Sequence, residues 1–119
     1  MEYAANHDDI AQVGQLLKER ELAVSIETGA RYVLDPKRKH RPSWVEKDPQ
    51  ARKRRTDYLL KCLNIARTLD AESVILFSGI NHDGLPEDEA WSVFLEELSI
   101  VLDLAKDRDM PVGLEPEPG

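Results

Sequence analysis

Ser73-Val74-Ile75-Leu76-Phe77, followed at once by Ser78-Gly79-Ile80-Asn81-His82-Asp83-Gly84, decides the fold. An unbroken apolar run bounded by turn chemistry is the pattern of a strand buried on both faces, as in a parallel sheet. Parallel strands need a crossover, usually a helix, between them. The flanks supply one on each side. Upstream, Asp48-Pro49 starts a helix, with a carboxylate placed to cap and proline at the first helical position. Leu59, Leu63, Ala66 and Leu69 carry its apolar stripe to about Leu69. Downstream, Pro86 opens a helix whose Glu87, Asp88 and Glu89 favour its positive end. Ala90, Val93, Phe94, Leu98, Val101, Leu102 and Ala105 are expected to form its buried side.

The same alternation extends outward. Leu22-Ala23-Val24-Ser25-Ile26 reads as a buried strand and Pro111-Val112-Gly113-Leu114 as a later one. Met1 to Ala4 reads as the surviving end of a first strand. Asn6, Asp8 and Asp9 then cap a helix whose apolar positions are Ile10, Val13, Leu16 and Leu17, ending near Glu21. Four parallel strands with three crossover helices make an α/β protein, with residues 1–119 as a single domain.

Composition narrows the class. Hydrophobic content of 41% with 33% charged residues fits a globular protein, and no apolar run approaches the roughly 20 residues needed to span a bilayer. The amino terminus lacks the basic start and apolar stretch of a secretory signal, so the expectation is a cytoplasmic protein. The single cysteine, Cys62, agrees, and its place among apolar helix positions reads as a small buried thiol. A net charge of −7 conceals a split: residues 1–70 hold 14 Lys+Arg against 11 Asp+Glu, and the remainder 2 against 12.

The connection from Ala30 to Lys47 exceeds an ordinary βα loop and contains the basic run Lys37-Arg38-Lys39-His40-Arg41. It is either an active-site or lid segment or a solvated insertion. Arg52-Lys53-Arg54-Arg55, on the following helix, reads as a solvated face. The isoelectric point near 4.9 and the scarcity of aromatics argue against nucleic-acid binding by these runs, whereas anion or phosphosugar binding by the loop stays open.

In parallel β/α architectures the residues just after each strand share one rim, where active sites are built. That selects Glu27 and Thr28, then Ser78, Asn81, His82 and Asp83, then Glu115 and Glu117. Carboxylates with a histidine on one rim suit a divalent cation: Mg²⁺ or Mn²⁺ with hard oxygen ligands, and Zn²⁺ or Co²⁺ where an imidazole joins. Carboxylates at strand ends are also common structurally, and Glu27 could instead cap the next turn or pair with Arg31. As functional groups, Glu27, Arg31, His82 and Glu117 are candidates for substrate contact.

The segment Val112-Gly113-Leu114-Glu115-Pro116-Glu117-Pro118-Gly119 resembles the strand that carries a metal-binding glutamate in the xylose isomerase-like sugar phosphate isomerase/epimerase superfamily. Glu27-Thr28-Gly29-Ala30-Arg31-Tyr32-Val33-Leu34-Asp35-Pro36, with Lys39-His40-Arg41-Pro42-Ser43, resembles a signature of one branch of it. The resemblance covers essentially the whole chain as the second to fifth strands of a TIM-type β/α barrel. A complete barrel needs about 250 residues, so it implies a partial, half-barrel chain.

It further implies an isomerase or epimerase acting on a sugar or sugar phosphate, with one divalent ion (Mn, Mg, Zn or Co) held by two glutamates, an aspartate and a histidine. Only Glu115 matches a ligand position, where it would hold metal and take part in proton transfer. The superfamily also embraces AP endonucleases, which makes phosphodiester hydrolysis a lesser alternative. With the other ligands on strands beyond this sequence, the 119-residue chain is expected to be inactive. A half-barrel exposes two strand edges, so self-association into a homo-oligomer is the competing, non-catalytic reading.

Overall fold

The computed structural model describes residues 7–116, with the His7 side chain left aside. The chain runs α1 (His7–Glu19), β1 (Ser25–Glu27), α2 (Pro49–Thr68), β2 (Ser73–Phe77), α3 (Glu87–Asp107) and β3 (Val112–Glu115). The strands are parallel in the order β1-β2-β3, and α2 and α3 are the crossovers. The expected strand at Met1–Ala4, the Asn6 cap and Glu117 all lie outside the described residues.

Local chemistry explains the helices. Asp48 caps α2 as expected, its Oδ1 accepting from the Gln50 backbone N–H at 2.9 Å, with Pro49 at the first position. All three helices end alike, in a left-handed residue whose successor donates back five residues: Leu22 N–H to Leu17 O, Ala71 to Ala66, and Met110 to Ala105. The left-handed residues are Glu21, Asp70 and Asp109, with φ of 53°, 55° and 54°. This motif stops α1 at Glu19, two residues short of the sequence expectation. Strand β1 also starts late, at Ser25 rather than Leu22. Its partner begins only at Ser73, and just one further bond, Glu72 N–H to Val24 O, continues the ladder backward.

Val74 and Leu76, both at 0% exposure, are the sheet's contribution to a core completed by Trp44, Leu59, Leu63, Phe94 and Val101. Burying a leucine-sized side chain fully contributes about 1.5–3 kcal/mol, so these residues fix how α2 and α3 lie on the sheet. Leu102, expected inside, is 42% exposed. With Trp91 at 57% and Leu95 at 55% it forms a second apolar stripe on α3, turned away from the core.

Two arginines of the α2 run, Arg52 and Arg55, depart from the expected solvated face. Arg55 is only 4% exposed, donates to Thr28 O at 3.0 Å and stacks over the Tyr58 ring. Arg54 donates to Leu34 O, and Arg52 to Glu46 O and Lys47 O. Arg52 and Arg54 therefore clamp the long connection onto the helix, and Arg55 holds the end of β1 to it. Lys53, paired with Asp57 in the open, stays on the surface, and Arg54 is exposed apart from its one backbone bond.

Candidate functional site

Strand register settles which way the carboxylates face. Glu27 is level with Ile75, and Ile75 with Gly113; two residues further on, Phe77 is level with Glu115. Side chains alternate along a strand, and level neighbours in a parallel sheet share a face. Glu27, Ile75, Phe77 and Glu115 therefore stand opposite to Val74 and Leu76, on the face the helices do not cover. Two strand spacings separate β1 from β3, which puts the two carboxylate-bearing backbones on the order of 10 Å apart. Both acids sit at the carboxyl end of their strands, as the rim rule anticipates.

The long connection is neither lid nor solvated insertion over its second half, because Pro42, Ser43, Trp44, Val45 and Glu46 are all buried. Trp44 donates from Nε1 to Thr56 Oγ1 at 2.8 Å and meets Phe94 at 5.9 Å between ring centroids. Arg41 ties this segment together. Its guanidinium donates to both Glu46 oxygens and, at 2.8 Å, to Asp83 Oδ1. Asp83 also accepts from the Lys47 backbone N–H at 2.9 Å. That amide bond, then the Arg41 guanidinium, holds the Asp83 carboxyl below the usual carboxylate range, while the Glu46 bond leads in pushing the Arg41 pKa up.

The two loops, so joined, enclose a cavity of about 260 Å³ lined by Lys39, His40, Ser43, Arg55, Phe77 and His82, with Gly79 and Ile80 beside them. His40 is oriented by Arg31, whose backbone N–H donates to Nδ1 at 3.1 Å. A neutral imidazole whose Nδ1 accepts carries its proton on Nε2. Gly29 lies between His40 and Glu27: a Cβ there would be 2.9 Å from Glu27 Oε1 and 3.8 Å from His40 Cε1. Glu27 therefore borders the cavity without lining it.

The candidate residues divide accordingly. His82 lines the cavity, Glu27 and Glu115 lie on the open face beside it, and Thr28 is buried with Oγ1 donating to Ile75 O at 2.7 Å. Arg31 has an exposed side chain and acts here through its backbone. Asn81 braces its own loop, bonding Leu85 through both amide atoms. Lys39, His40, Ser43 and Arg55 were not singled out as site residues. The only advance signal was the basic run after the first strand end.

Comparison with known proteins places this geometry. The sequence model of the xylose isomerase-like TIM barrel family matches residues 2–119. The chain belongs to that family. Among solved structures, a D-tagatose 3-epimerase-like protein superposes with a TM-score of 0.73 at 18% identity, over 96% of this chain and 40% of its own. At that identity the likeness shows the fold alone, and the chain spans about two fifths of that neighbour's length. No curated protein matches the sequence.

Within the xylose isomerase-like fold the open face of this sheet corresponds to the interior of a barrel of which three described strands are a part. The donor set does not complete a metal site. Among the described residues no group of three or more His, Cys, Asp or Glu side chains could hold a metal ion. Glu115 is a single carboxylate, and Glu27 stands two strands away from it.

Proposed function

We propose that this chain is part of a metal-dependent sugar or sugar phosphate isomerase/epimerase of the cytoplasm, in which it supplies one carboxylate ligand, Glu115, and the substrate-contacting groups Glu27 and His82. The supporting observation is the register that puts Glu27 and Glu115 on one face at one end of the sheet, next to a polar cavity. A carboxylate so placed can hold a cation or shuttle a proton at a carbon bearing a hydroxyl. One ligand is too few for a tight divalent site, so the 119-residue chain does not turn over sugar alone. Buried, unpaired Cys62 is in keeping with a reducing compartment.

The test is carbon-bound proton exchange from ketohexoses and their phosphates, with Mn²⁺ present. The 119-residue chain is expected to be silent. A longer product of the same reading frame is expected to be active and to lose at least a hundredfold in kcat on Glu115→Gln. Exchange catalysed by the short chain, or an active long product indifferent to Glu115→Gln, would sink the proposal.

A second reading, self-association through a matching copy, draws on the second apolar stripe. Trp91 and Leu114, each at least half exposed, line a depression of about 420 Å³ reaching Phe94 and Pro116. A closed barrel would cover this flank, and two copies that each span 40% of such a chain could approximate one. Light scattering on the chain and on Trp91→Glu separates the readings: a dimer abolished by the substitution supports association, and a monomer at high concentration removes it.

A further inference from the structure

The cavity between the loops after β1 and β2 is built for an oxyanion. Its lining brings together Lys39, His40, Arg55 and His82 with the Ser43 hydroxyl, and no carboxylate. This concentration of N–H donors stands out in a chain of net charge −7. The nearest acids of the same loops are already engaged: Glu46 with Arg41 and the Ser43 backbone N–H, Asp83 with Arg41 and the Lys47 backbone N–H. Neither therefore neutralises the lining, while Glu27 borders the cavity from across Gly29 without lining it.

Several donors are poised. Ser43 Oγ accepts from the Val45 backbone N–H at 3.1 Å, which leaves its own O–H proton to give. Arg31 N–H at Nδ1 makes Nε2 the donor of a neutral His40 ring. Gly79, at φ 84°, lets the second loop close to the point where a Cβ would lie 2.5 Å from Ser43 Cβ.

We infer that this cavity seats the phosphate of a phosphorylated sugar, fixing the substrate class within the function proposed above, on which the inference rests. Position supports it. Phe77, in the cavity wall, is level with Glu115, and Glu27 borders the cavity across Gly29. A phosphate held there directs the attached carbon chain onto the face that carries both carboxylates. The volume, about 260 Å³, accommodates a phosphate and the carbons next to it rather than a larger ligand.

The experiment is titration of the 119-residue chain with inorganic phosphate, a ketohexose phosphate and the free ketohexose, followed by amide chemical shifts at low ionic strength. Phosphate and the phosphate ester are expected to bind in the millimolar range or tighter, with the largest shifts at residues 39–43 and 78–82, and the free sugar to bind at least tenfold more weakly. Lys39→Glu, at an exposed position that tolerates substitution, is expected to weaken phosphate binding tenfold or more, as is His82→Gln. Lys106→Ala, in the last turn of α3 and outside the cavity lining, is expected to leave it unchanged. Absence of phosphate binding, or binding indifferent to both cavity substitutions, would overturn the inference. Free sugar binding as tightly as its phosphate would also overturn it while leaving the isomerase reading intact. Phosphate binding without metal or turnover would support it even if that reading failed.

Discussion

Asp83 and Arg41 meet at 2.8 Å across 42 residues of sequence, and this pair joins the loop after β1 to the loop after β2. Both loops rise from the carboxyl ends of parallel strands, past the last backbone bond between β1 and β2, Thr28 N–H to Ile75 O. Their mutual placement rests on side chains, and the cavity between them exists because Arg41 spans from Glu46 to Asp83.

Removing the two sides of this bridge should have unequal effects. Arg41→Met leaves Glu46, 4% exposed, as a buried charge with only the Ser43 amide, and should cost about 3 kcal/mol. Asp83→Asn keeps the shape and should cost about 1 kcal/mol. The pH dependence has a definite sign. The Asp83 pKa is lowered in the folded protein, so its contribution is fully present above the unfolded value near 3.8 and is lost as pH falls through the folded value. Urea midpoints of wild type and Asp83→Asn should therefore differ at pH 7 and converge below about pH 4. A constant difference down to pH 2 would contradict this.

Gly79 should resist every side chain. A Cβ there would lie 2.5 Å from Ser43 Cβ at a φ of 84°, so Gly79→Ala carries both a clash and a strained backbone. Together they should cost about 2–3 kcal/mol. Combining it with Ser43→Gly should recover the clash and leave the backbone cost, a coupling of about 1 kcal/mol or more in a double-mutant cycle. Additive effects would mean the two loops do not close as described.

What was legible in the sequence was local. Asp48 before Pro49, the spacing of Leu59 and Leu63, and the acids ending β1 and β3 each declare themselves within a few residues of their neighbours. The roles of Arg54 and Arg55 did not, because their acceptors, Leu34 O and Thr28 O, lie 20 and 27 positions away and are backbone atoms that no side-chain pattern advertises. A cationic run on a helix reads as solvated unless the loop it grips is known. Leu102 misled for the converse reason: an apolar stripe announces burial without saying which neighbour provides it.

The helix ends offer a gain in stability. Asp70 and Asp109 occupy left-handed positions where glycine is unstrained, and each places a negative charge at the negative end of its helix. Asp70→Gly and Asp109→Gly should each stabilise by about 0.5–1 kcal/mol, and the pair should raise Tm by about 4 °C or more. A lower Tm for the double variant would mean these carboxylates do more than end their helices.

Cys62 provides a measure of how tightly α2 is held against its neighbours. The thiol is 6% exposed, and burial, the largest cause, pushes its pKa up despite a hydrogen bond from Tyr58 and the nearby Arg55 charge. The thiolate is the nucleophile, so the native protein at pH 8 should react with iodoacetamide at least a hundredfold more slowly than the same protein in urea. Because the folded pKa is raised, the native state keeps its proton where the unfolded chain gives its own up. Stability should therefore decline as pH climbs past about 8.5 toward the folded value, and Cys62→Ala should lessen that decline. Native alkylation as fast as the unfolded reaction would mean that α2 opens readily, and with it the arginine clamp that carries the cavity wall.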